Sequence, residues 1–261
     1  MGVVALQGVE NVRDLGGIAV GDGRMVAHGL FFRGAHLGNI TESDHQALFG
    51  ARGICCVIDL RCGWEREAKP PISVQGVNHQ HIPFYDLAKV GIEYTEPGAG
   101  TKVVGRDVAC NPLRFYPSLV NPLTVKQMRE AVRCIFSHAC ERQPVLWHCS
   151  GGKDRAGVLS ALVLKVLGAS DEDVLEDYLL TNESRDKRYD QLFARFLRLA
   201  DGDEALAHEL VTSHRARPET LAAFYAAVDE RCGSMERFIR QQLGINADMR
   251  ARIRETCTAA L

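Results

Sequence analysis

Residues 148–158, His-Cys-Ser-Gly-Gly-Lys-Asp-Arg-Ala-Gly-Val, combine a cysteine and an arginine at a spacing that suits phosphate chemistry. The two glycines allow successive backbone N–H groups to turn toward one point and form a concave anion site. Arg155 adds a planar, permanently charged fork that can bind two phosphate oxygens at once. The same positive surroundings favour the thiolate form of Cys149. A thiolate facing a bound phosphate predicts phosphoryl transfer through a cysteinyl-phosphate.

A strand must lead into this loop and a helix must leave it. The apolar residues 144–147 predict a buried strand, and the apolar stretch 158–167 predicts a helix that ends at Gly168. The loop then lies at a helix N-terminus, where unsatisfied N–H groups and the helix dipole attract anions. We therefore expect Cys149 to be the nucleophile and Arg155 the phosphate clamp. The remaining phosphate-binding positions are His148, Ser150, Gly151, Gly152, Lys153, Ala156 and Gly157.

The loop resembles that of the Cys-based protein phosphatases. The similarity is closer to the atypical bacterial and fungal tyrosine/dual-specificity branch, whose loop is HCxxGKDRTG. Residues 11–17 (NVRDLGG), 32–37 (FRGAHL) and 57–61 (VIDLR, with Glu65) also resemble that branch, and residues 177–182 (DYLLTN) do so more weakly. One position departs from the pattern, because the family usually has Thr or Ser where this chain has Ala156. The missing hydroxyl predicts slower hydrolysis of the phosphoenzyme.

The resemblance implies an enzyme that needs no cofactor or metal and binds phosphate or sulfate in its loop. The implied substrates are phosphotyrosine, phosphoserine or phosphothreonine proteins, and family members similar to this chain also act on phosphoinositides. Lys153 bears on this choice, because a second cation in the loop favours substrates with more than one phosphate. The alternative is that Lys153 only shapes the loop or pairs with Asp154.

Three aspartates are candidates for the general acid that protonates the leaving oxygen. Asp154 lies inside the loop and is the choice that the resemblance implies. Asp59 follows a predicted buried strand and should reach the same sheet edge, and Asp86 follows residues 81–85. The alternatives are an ion pair with Arg61 for Asp59 and a turn position for Asp86. Further side chains expected at the mouth of the site are Arg33, His36 and Arg61.

Composition restricts the function classes. The chain has 261 residues and a net charge of −2, so nothing indicates a nucleic-acid partner. No apolar run approaches about 18 residues, which argues against a membrane span. The first residues lack a signal-peptide pattern, so we expect a cytoplasmic protein. The nine cysteines include no CxxC pair, so a structural zinc site is not expected. A reversible disulfide between Cys149 and a neighbour is conceivable.

Hydrophobic patterning predicts an α/β fold of the cysteine-phosphatase type. A mostly parallel central sheet should be flanked by helices, and the C-terminal half should be helical. Predicted strands cover 54–60, 77–82 and 145–148, and a predicted helix covers 125–140. A hairpin at 18–26 and a helix capped by Thr41 and Asp44 should precede them.

We expect one domain over 1–261. It would comprise a lead-in at 1–50, a sheet core with the phosphate loop at 51–168 and a helical extension at 169–261. After a helix capped by Ser170, the extension carries three further apolar stripes, around 192–197, 221–228 and 235–243, which we expect in the core. Part of this half, or the loop-rich segment 86–124, is a candidate lid over the site.

Two other classes share parts of this pattern. A rhodanese-like sulfurtransferase also places a cysteine in a loop after an α/β strand, although Arg155 and the Gly-Lys-Asp spacing argue against it. A catalytically weak phosphate-binding module is the second alternative, and Ala156 is the observation that motivates it.

Overall fold

The strand that leads into the loop runs parallel to three other strands of the main sheet. The computed structural model describes residues 2–84 and 112–261. Its main sheet has the order β1-β2-β4-β7-β5-β6, in which β4, β7, β5 and β6 are parallel and β1 and β2 are antiparallel. A separate two-stranded sheet joins β3 to β8. The strand bounds are β1 Gly2–Val3, β2 Arg13–Asp14, β3 Arg24–Val26, β4 Phe31–Gly34, β5 Cys56–Asp59, β6 Asn78–His81, β7 Val145–His148 and β8 Thr258–Ala260. The predicted mostly parallel α/β fold is confirmed.

Helices supply most of the rest of the described chain. Two of them, α1 and α10, are single turns that continue into π-helical turns at Gln46–Gly50 and Phe238–Gln242. The helix bounds are α1 Glu42–His45, α2 Gly63–Ala68, α3 Pro112–Ser118, α4 Pro122–Cys140, α5 Asp154–Leu167, α6 Asp171–Glu183, α7 Asp186–Leu199, α8 Glu204–His214, α9 Pro218–Cys232, α10 Met235–Arg237 and α11 Ala247–Cys257. No helix in the described ranges is long and apolar enough to cross a membrane.

The central strands are buried on both faces, which explains their unbroken apolar sequences. Along β7, Val145 and Trp147 face a large core formed with α4, α5 and the C-terminal helices. Leu146 faces the other way, into a smaller core with Phe32 and the N-terminal segment. Side chains alternate between the two faces because successive residues of a strand point in opposite directions.

The predicted helix caps and the predicted end of the helix after the loop are confirmed. Thr41 and Asp44 form the predicted capping box, and Ser170 caps α6. The helix after the loop ends at Gly168, whose φ of 101° is left-handed. That helix begins at Asp154 rather than near 158, so the second half of the loop motif forms its first turn.

The structure adds strand pairings and helices that the sequence analysis did not predict, because contacts between distant segments decide them. The first fifty residues are not only a lead-in, since β1, β2 and β4 belong to the main sheet. The predicted hairpin forms at the bridge between Ala19 and Met25, but β3 also pairs with β8 near the other end of the sequence. Helices α8 and α11 were not predicted. Asp86 lies outside the described residues, and so does the part of the candidate lid segment 86–124 that ends at position 111.

The apolar stripe of α7 does not enter the core. Its members are half-buried and pack on α8, with the Phe193 and His208 rings 4.4 Å apart and the Phe196 and His214 rings 5.1 Å apart. By contrast, Phe224 in α9 and Phe238 after α10 are fully buried, as predicted. Helices α7 and α8 therefore form a helical hairpin beside the main core.

Candidate active site

The candidate site is built where four parallel strands end together. In the register of the sheet, Gly34, His148, Asp59 and His81 are the last residues of β4, β7, β5 and β6 and stand side by side. Cys149 follows directly and is 2% exposed. Because the carboxyl ends of parallel strands share one edge, residues distant in sequence converge on the loop.

The loop after Cys149 is shaped by donors that hold its carbonyl oxygens. Asn11 Nδ2 donates to the Gly151 oxygen at 3.1 Å, and Arg33 Nη2 donates to the Gly152 and Lys153 oxygens at 2.8 and 3.3 Å. In a trans peptide the N–H points opposite to the carbonyl. The N–H groups of the following residues are therefore directed to the other side of the loop, as an anion site requires.

Gly152 is the position where this path needs a glycine. Its φ is 67°, and a Cβ there would lie 2.6–2.7 Å from the backbone of Gly34 and Ala35. Both the left-handed conformation and the close approach exclude a side chain. The loop can thus pass against the end of β4 and enter α5 without a break.

A buried ionic group fixes the donors beneath the loop. Asp177 of α6 accepts from Arg13 Nε at 2.7 Å and also from Arg33 Nη1, and all three side chains are almost fully buried. Arg13 in turn donates to the Asn11 side chain. Burial and the nearby Arg33 lower the pKa of Arg13 to about 10, which still leaves it protonated near neutral pH. Two arginines and one aspartate thus leave a net positive charge under the anion site.

Arg155 lies in the first turn of α5 and is held by Glu65 of α2. The Arg155 Nη2 donates to Glu65 Oε1 at 2.7 Å, and Nη1 donates to the other carboxylate oxygen. Ser150 Oγ donates to the same carboxylate. Burial opposes charge on both partners, yet their mutual hydrogen bonds and charges raise the pKa of Arg155 and lower that of Glu65 to about 2. Both groups are therefore ionised over the working pH range.

His148 precedes the nucleophile and is neutral. Its Nδ1 lies 3.3 Å from the Cys149 carbonyl oxygen and 3.9 Å from Asp59 Oδ1. Burial lowers the pKa of His148 to about 4, and the Asp59 carboxylate only partly opposes this. His148 therefore supplies a hydrogen bond to the loop rather than a charge.

Two of the three candidate general acids can be compared. Asp59 accepts from the Arg61 backbone N–H at 3.0 Å and from Arg61 Nε and Nη2 at 2.9 and 2.8 Å, and Arg66 Nε is 3.3 Å away. Despite burial, these donors lower the pKa of Asp59. Among the residues that the structure describes, no guanidinium holds Asp154 in this way. Its Oδ1 accepts from Tyr116 Oη at 2.9 Å and lies 3.4 Å from Lys153 Nζ.

Lys153 is placed differently from the expectation of a substrate-facing cation. Its Nζ donates to the His214 carbonyl oxygen at the end of α8 at 2.6 Å, and the side chain is 8% exposed. Lys153 therefore connects the loop to the α7–α8 hairpin. Arg33, which was expected at the mouth, is instead buried beneath the loop.

Other cations line the mouth. A cavity of about 430 Å³ is bounded by Ser150 and Gly151 of the loop, by Glu65 and by the exposed indole of Trp64. The cationic side chains on its wall are Arg61, Lys69, Arg185 and Arg188, and His36 also lies there, although burial and the nearby Lys69 lower its pKa. His36 and Arg61 were predicted there, whereas Lys69, Arg185 and Arg188 were not, because nothing in their local sequence marks them.

Sequence reasoning also missed the roles of several buried polar residues. Asn11, Arg13 and Asp177 fall in segments that resemble the phosphatase branch, but no function followed from their types alone. Glu65 accompanies another such segment, but its ion pair with Arg155 was not predicted. The available signal was Arg33, a charged residue that directly follows the two apolar residues Phe31 and Phe32.

Comparisons with known proteins identify the family of this chain. The sequence profile of a tyrosine phosphatase family matches residues 4–259. The triple specificity protein phosphatase PtpB of Mycobacterium tuberculosis is 28% identical, over 92% of this chain and 94% of its own length. A putative tyrosine-protein phosphatase of Cupriavidus necator is 25% identical, over 93% of this chain and 85% of its own length. The solved structure of TpbA from P. aeruginosa shares 15% identity at a TM-score of 0.37, with 80% of this chain and 96% of that chain covered. Since the family profile spans nearly the whole sequence, this chain belongs to the tyrosine phosphatase family.

Proposed function

We propose that this phosphatase hydrolyses phosphotyrosine and related phosphomonoesters through a cysteinyl-phosphate on Cys149. The observation that carries the proposal is the loop itself, whose carbonyl groups are held by Asn11 and Arg33 so that its N–H groups face the opposite side. Such a site stabilises the charge that develops on the transferring phosphoryl group. Membership of the tyrosine phosphatase family supports the same reaction and disfavours the sulfurtransferase alternative.

Arg155 can hold phosphate without releasing Glu65. A guanidinium has five N–H groups, and the ion pair with Glu65 uses two of them, one on each terminal nitrogen. Of the remaining three, the Nε–H and the second N–H of Nη2 share one edge of the guanidinium and can bind two phosphate oxygens, whereas Nη1 also lies 3.8 Å from Cys62 Sγ. Glu65 then fixes the guanidinium plane, so no side-chain rearrangement is needed when the substrate arrives.

The reaction follows from these placements. The Cys149 sulfur forms a bond to phosphorus while the ester P–O bond breaks, and the leaving oxygen takes a proton from the general acid. Water then attacks phosphorus, the P–S bond breaks, and the same carboxyl group takes up the proton from water. Phosphate and the thiolate are the products.

We infer that Asp154 is the general acid rather than Asp59. A general acid must carry a proton, and the arginine donors around Asp59 favour its ionised form. Asp154 is one residue from Arg155 and one-third exposed, and its two partners, Tyr116 and Lys153, both contact the same carboxyl oxygen, Oδ1. Asp86 remains the alternative acid, since it lies outside the described residues.

The side chains that line the cavity indicate the range of substrates. The Trp64 indole offers an apolar face beside the loop, which suits the ring of phosphotyrosine. The basic side chains around it would accept further phosphates, so phosphoserine, phosphothreonine and phosphoinositide substrates also belong to the proposal. This support comes from the cavity cations and not from Lys153, which is bound to His214. A cytoplasmic location stays a prediction.

Two sets of variants test the proposal. Parent protein should hydrolyse p-nitrophenyl phosphate, Cys149→Ser should be inactive, and Arg155→Lys should lose about 100-fold or more in kcat/KM. Lack of activity in the parent would instead favour a phosphate-binding module, and full activity in Cys149→Ser would exclude Cys149 as the nucleophile. Asp154→Asn should lower kcat/KM for phenyl phosphate by about 10²–10⁴-fold. The loss for p-nitrophenyl phosphate should be smaller, because its better leaving group depends less on protonation. The same pattern in Asp86→Asn would transfer the role to Asp86.

A further inference from the structure

Three potential metal ligands converge near the end of β5 that lies away from the phosphate loop. Cys56 is the first residue of β5, whereas Asp59 at the other end of the same strand faces the active site. Cys134 and His138 are one turn apart on α4, so their side chains share a face of that helix. The ligand atoms of all three lie within 4.8 Å of one another.

We propose that Cys56, Cys134 and His138 bind a thiophilic divalent cation such as Zn²⁺. Within the group, Cys56 Sγ and Cys134 Sγ are 3.9 Å apart, and Cys134 Sγ and His138 Nδ1 are also 3.9 Å apart. Zinc binds sulfur at about 2.3 Å and nitrogen at about 2.0–2.1 Å, so the edges of a tetrahedral site measure roughly 3.5–3.8 Å. The two measured separations are already near this size.

The ligand types select the metal. Two thiolates and one imidazole suit zinc and other soft or borderline cations, whereas magnesium and calcium require oxygen ligands. The fourth coordination position would be taken by water. Cys56 is fully buried, but Cys134 and His138 are half-buried, so a cation can reach the group from solvent.

Binding changes the protonation of the three ligands in a defined way. In the metal-free site, His138 Nδ1 lies 2.9 Å from the Cys134 carbonyl oxygen, which places the ring proton on Nδ1. Coordination by Nδ1 moves that proton to Nε2, which lies 3.4 Å from Asn78 Nδ2, so the Asn78 amide has to turn its oxygen toward the ring to accept it. Both thiols lose a proton, so one cation replaces two protons and binding strengthens as the pH rises.

A bound cation would join α4 to the central sheet. It would bridge the first residue of β5 to the last third of the helix, at positions 78 residues apart. Because the ligands are so far apart in sequence, cysteine spacing alone does not predict the site. The expectation of no zinc site rested on the absence of CxxC pairs, whereas these ligands meet only in the folded chain. The effect should be on stability, since the reacting groups lie at the other end of β5.

Cobalt binding to the full chain tests the proposal. The protein would carry Cys149→Ser, so that the catalytic thiol contributes nothing, and would be kept reduced. We expect one equivalent of Co²⁺ to give a sulfur-to-metal charge-transfer band and the visible bands of a tetrahedral site, and Zn²⁺ to displace it. Cys134→Ser and His138→Ala should each weaken binding by at least about 100-fold, since even the loss of an outer-shell partner costs about 10–100-fold.

A matched control is available on the same helix. Cys140, the last residue of α4, has a second thiol, Cys257, as its neighbour, but within the described residues no third ligand completes that pair. Cys140→Ser should therefore bind Co²⁺ like the parent. Zn²⁺ should also raise the thermal unfolding midpoint of the parent and of Cys140→Ser, but not that of Cys134→Ser.

Three results would overturn the proposal. They are the absence of a charge-transfer band in the reduced parent, unchanged affinity in both Cys134→Ser and His138→Ala, and a Cys56–Cys134 disulfide that persists in reductant and prevents binding. In protein that retains Cys149, Cys134→Ser should keep the parent kcat, which separates this site from the proposed phosphatase function.

Discussion

At the scale of single residues, the site depends on partners that hold the reacting groups rather than on those groups alone. Arg155 is charged at any pH, but its direction is set by Glu65, which also binds Ser150 of the loop. His148 is adjacent to the nucleophile and yet neutral, because burial outweighs the attraction of Asp59. Preorganisation of this kind is what distinguishes a catalytic loop from a loop that only binds phosphate.

Glu65→Gln should lower kcat/KM by about 10–100-fold. The substitution keeps the size of the side chain but removes a charged hydrogen-bond partner of Arg155, which is worth about 1.5–3 kcal/mol. Steady-state kinetics with p-nitrophenyl phosphate provides the measurement. Glu67→Gln is the control, because Glu67 is exposed on the same helix and should leave the rate unchanged. Equal rates in both variants would mean that Arg155 does not need Glu65.

The neutral state of His148 predicts a pH dependence of stability. Its pKa is about 4 in the folded protein and near 6.5 in the unfolded chain, so the unfolded chain binds the extra proton first as the pH falls. This stability is fully present above about pH 6.5 and is lost as the pH falls toward 4. Between about pH 7 and pH 5 the free energy of unfolding should drop by about 2 kcal/mol from this group.

Urea unfolding of the parent and of His148→Asn at these two pH values measures the effect. The variant lacks the titrating ring, so its pH dependence should be shallower by about 2 kcal/mol. The other histidines are present in both proteins, so their contributions cancel in the comparison. Parallel curves for the two proteins would show that folding does not lower the pKa of His148.

At the scale of elements, the loop is held from behind and from the side. Strands β2 and β4 supply Arg13 and Arg33, α6 supplies Asp177, and α8 receives Lys153 through its last carbonyl group. The N-terminal segment and the helical extension therefore support the loop jointly. We infer that the chain folds as one domain, since the large core also includes residues from Leu15 to Cys257.

Gly152→Ala should damage the loop far more than Gly151→Ala. The first substitution places a Cβ against the backbone of Gly34 at a left-handed φ, which costs at least about 1–2 kcal/mol before the contact is counted. The second meets only the Arg185 guanidinium at 3.1–3.2 Å, which is the end of a flexible side chain.

Thermal unfolding and phosphatase activity of the two variants provide the comparison. Gly152→Ala should lose most activity and unfold at a lower temperature, whereas Gly151→Ala should keep the fold and most of the activity. If both alanines were tolerated equally, the close approach of the loop to β4 would not hold in solution.

At the scale of the whole molecule, a chain with a net charge of −2 presents a locally basic cavity. The attraction of an anionic substrate must therefore come from the few cations around the mouth, and salt should screen it. Helix α7 contributes to this field through Arg188, although its apolar stripe is not part of the core.

Arg188→Ala should lower kcat/KM for substrates that carry more than one phosphate and weaken the dependence on ionic strength. The effect should be a few-fold at low salt and should vanish near 1 M salt, where the screening length is about 3 Å. Arg195→Ala is the control, because Arg195 is exposed on the same helix but does not line the cavity. Equal salt dependence in both variants would exclude a role for Arg188 in attracting substrate.

The sequence alone determined the features that depend on neighbouring residues. Cys149, the glycines and Arg155 lie within seven positions, and the caps at Thr41 and Ser170 span only four residues each, so local chemistry identifies them. The tertiary structure decided which distant groups serve the loop: Glu65, Asn11, Arg33 and Asp177 reach it only because parallel strands and α6 bring their ends to one edge. It also placed Lys153 against α8 and joined Cys56 to α4. A residue type and its neighbours predict what a side chain can do, but burial and partners determine what it does, and these are properties of the folded chain.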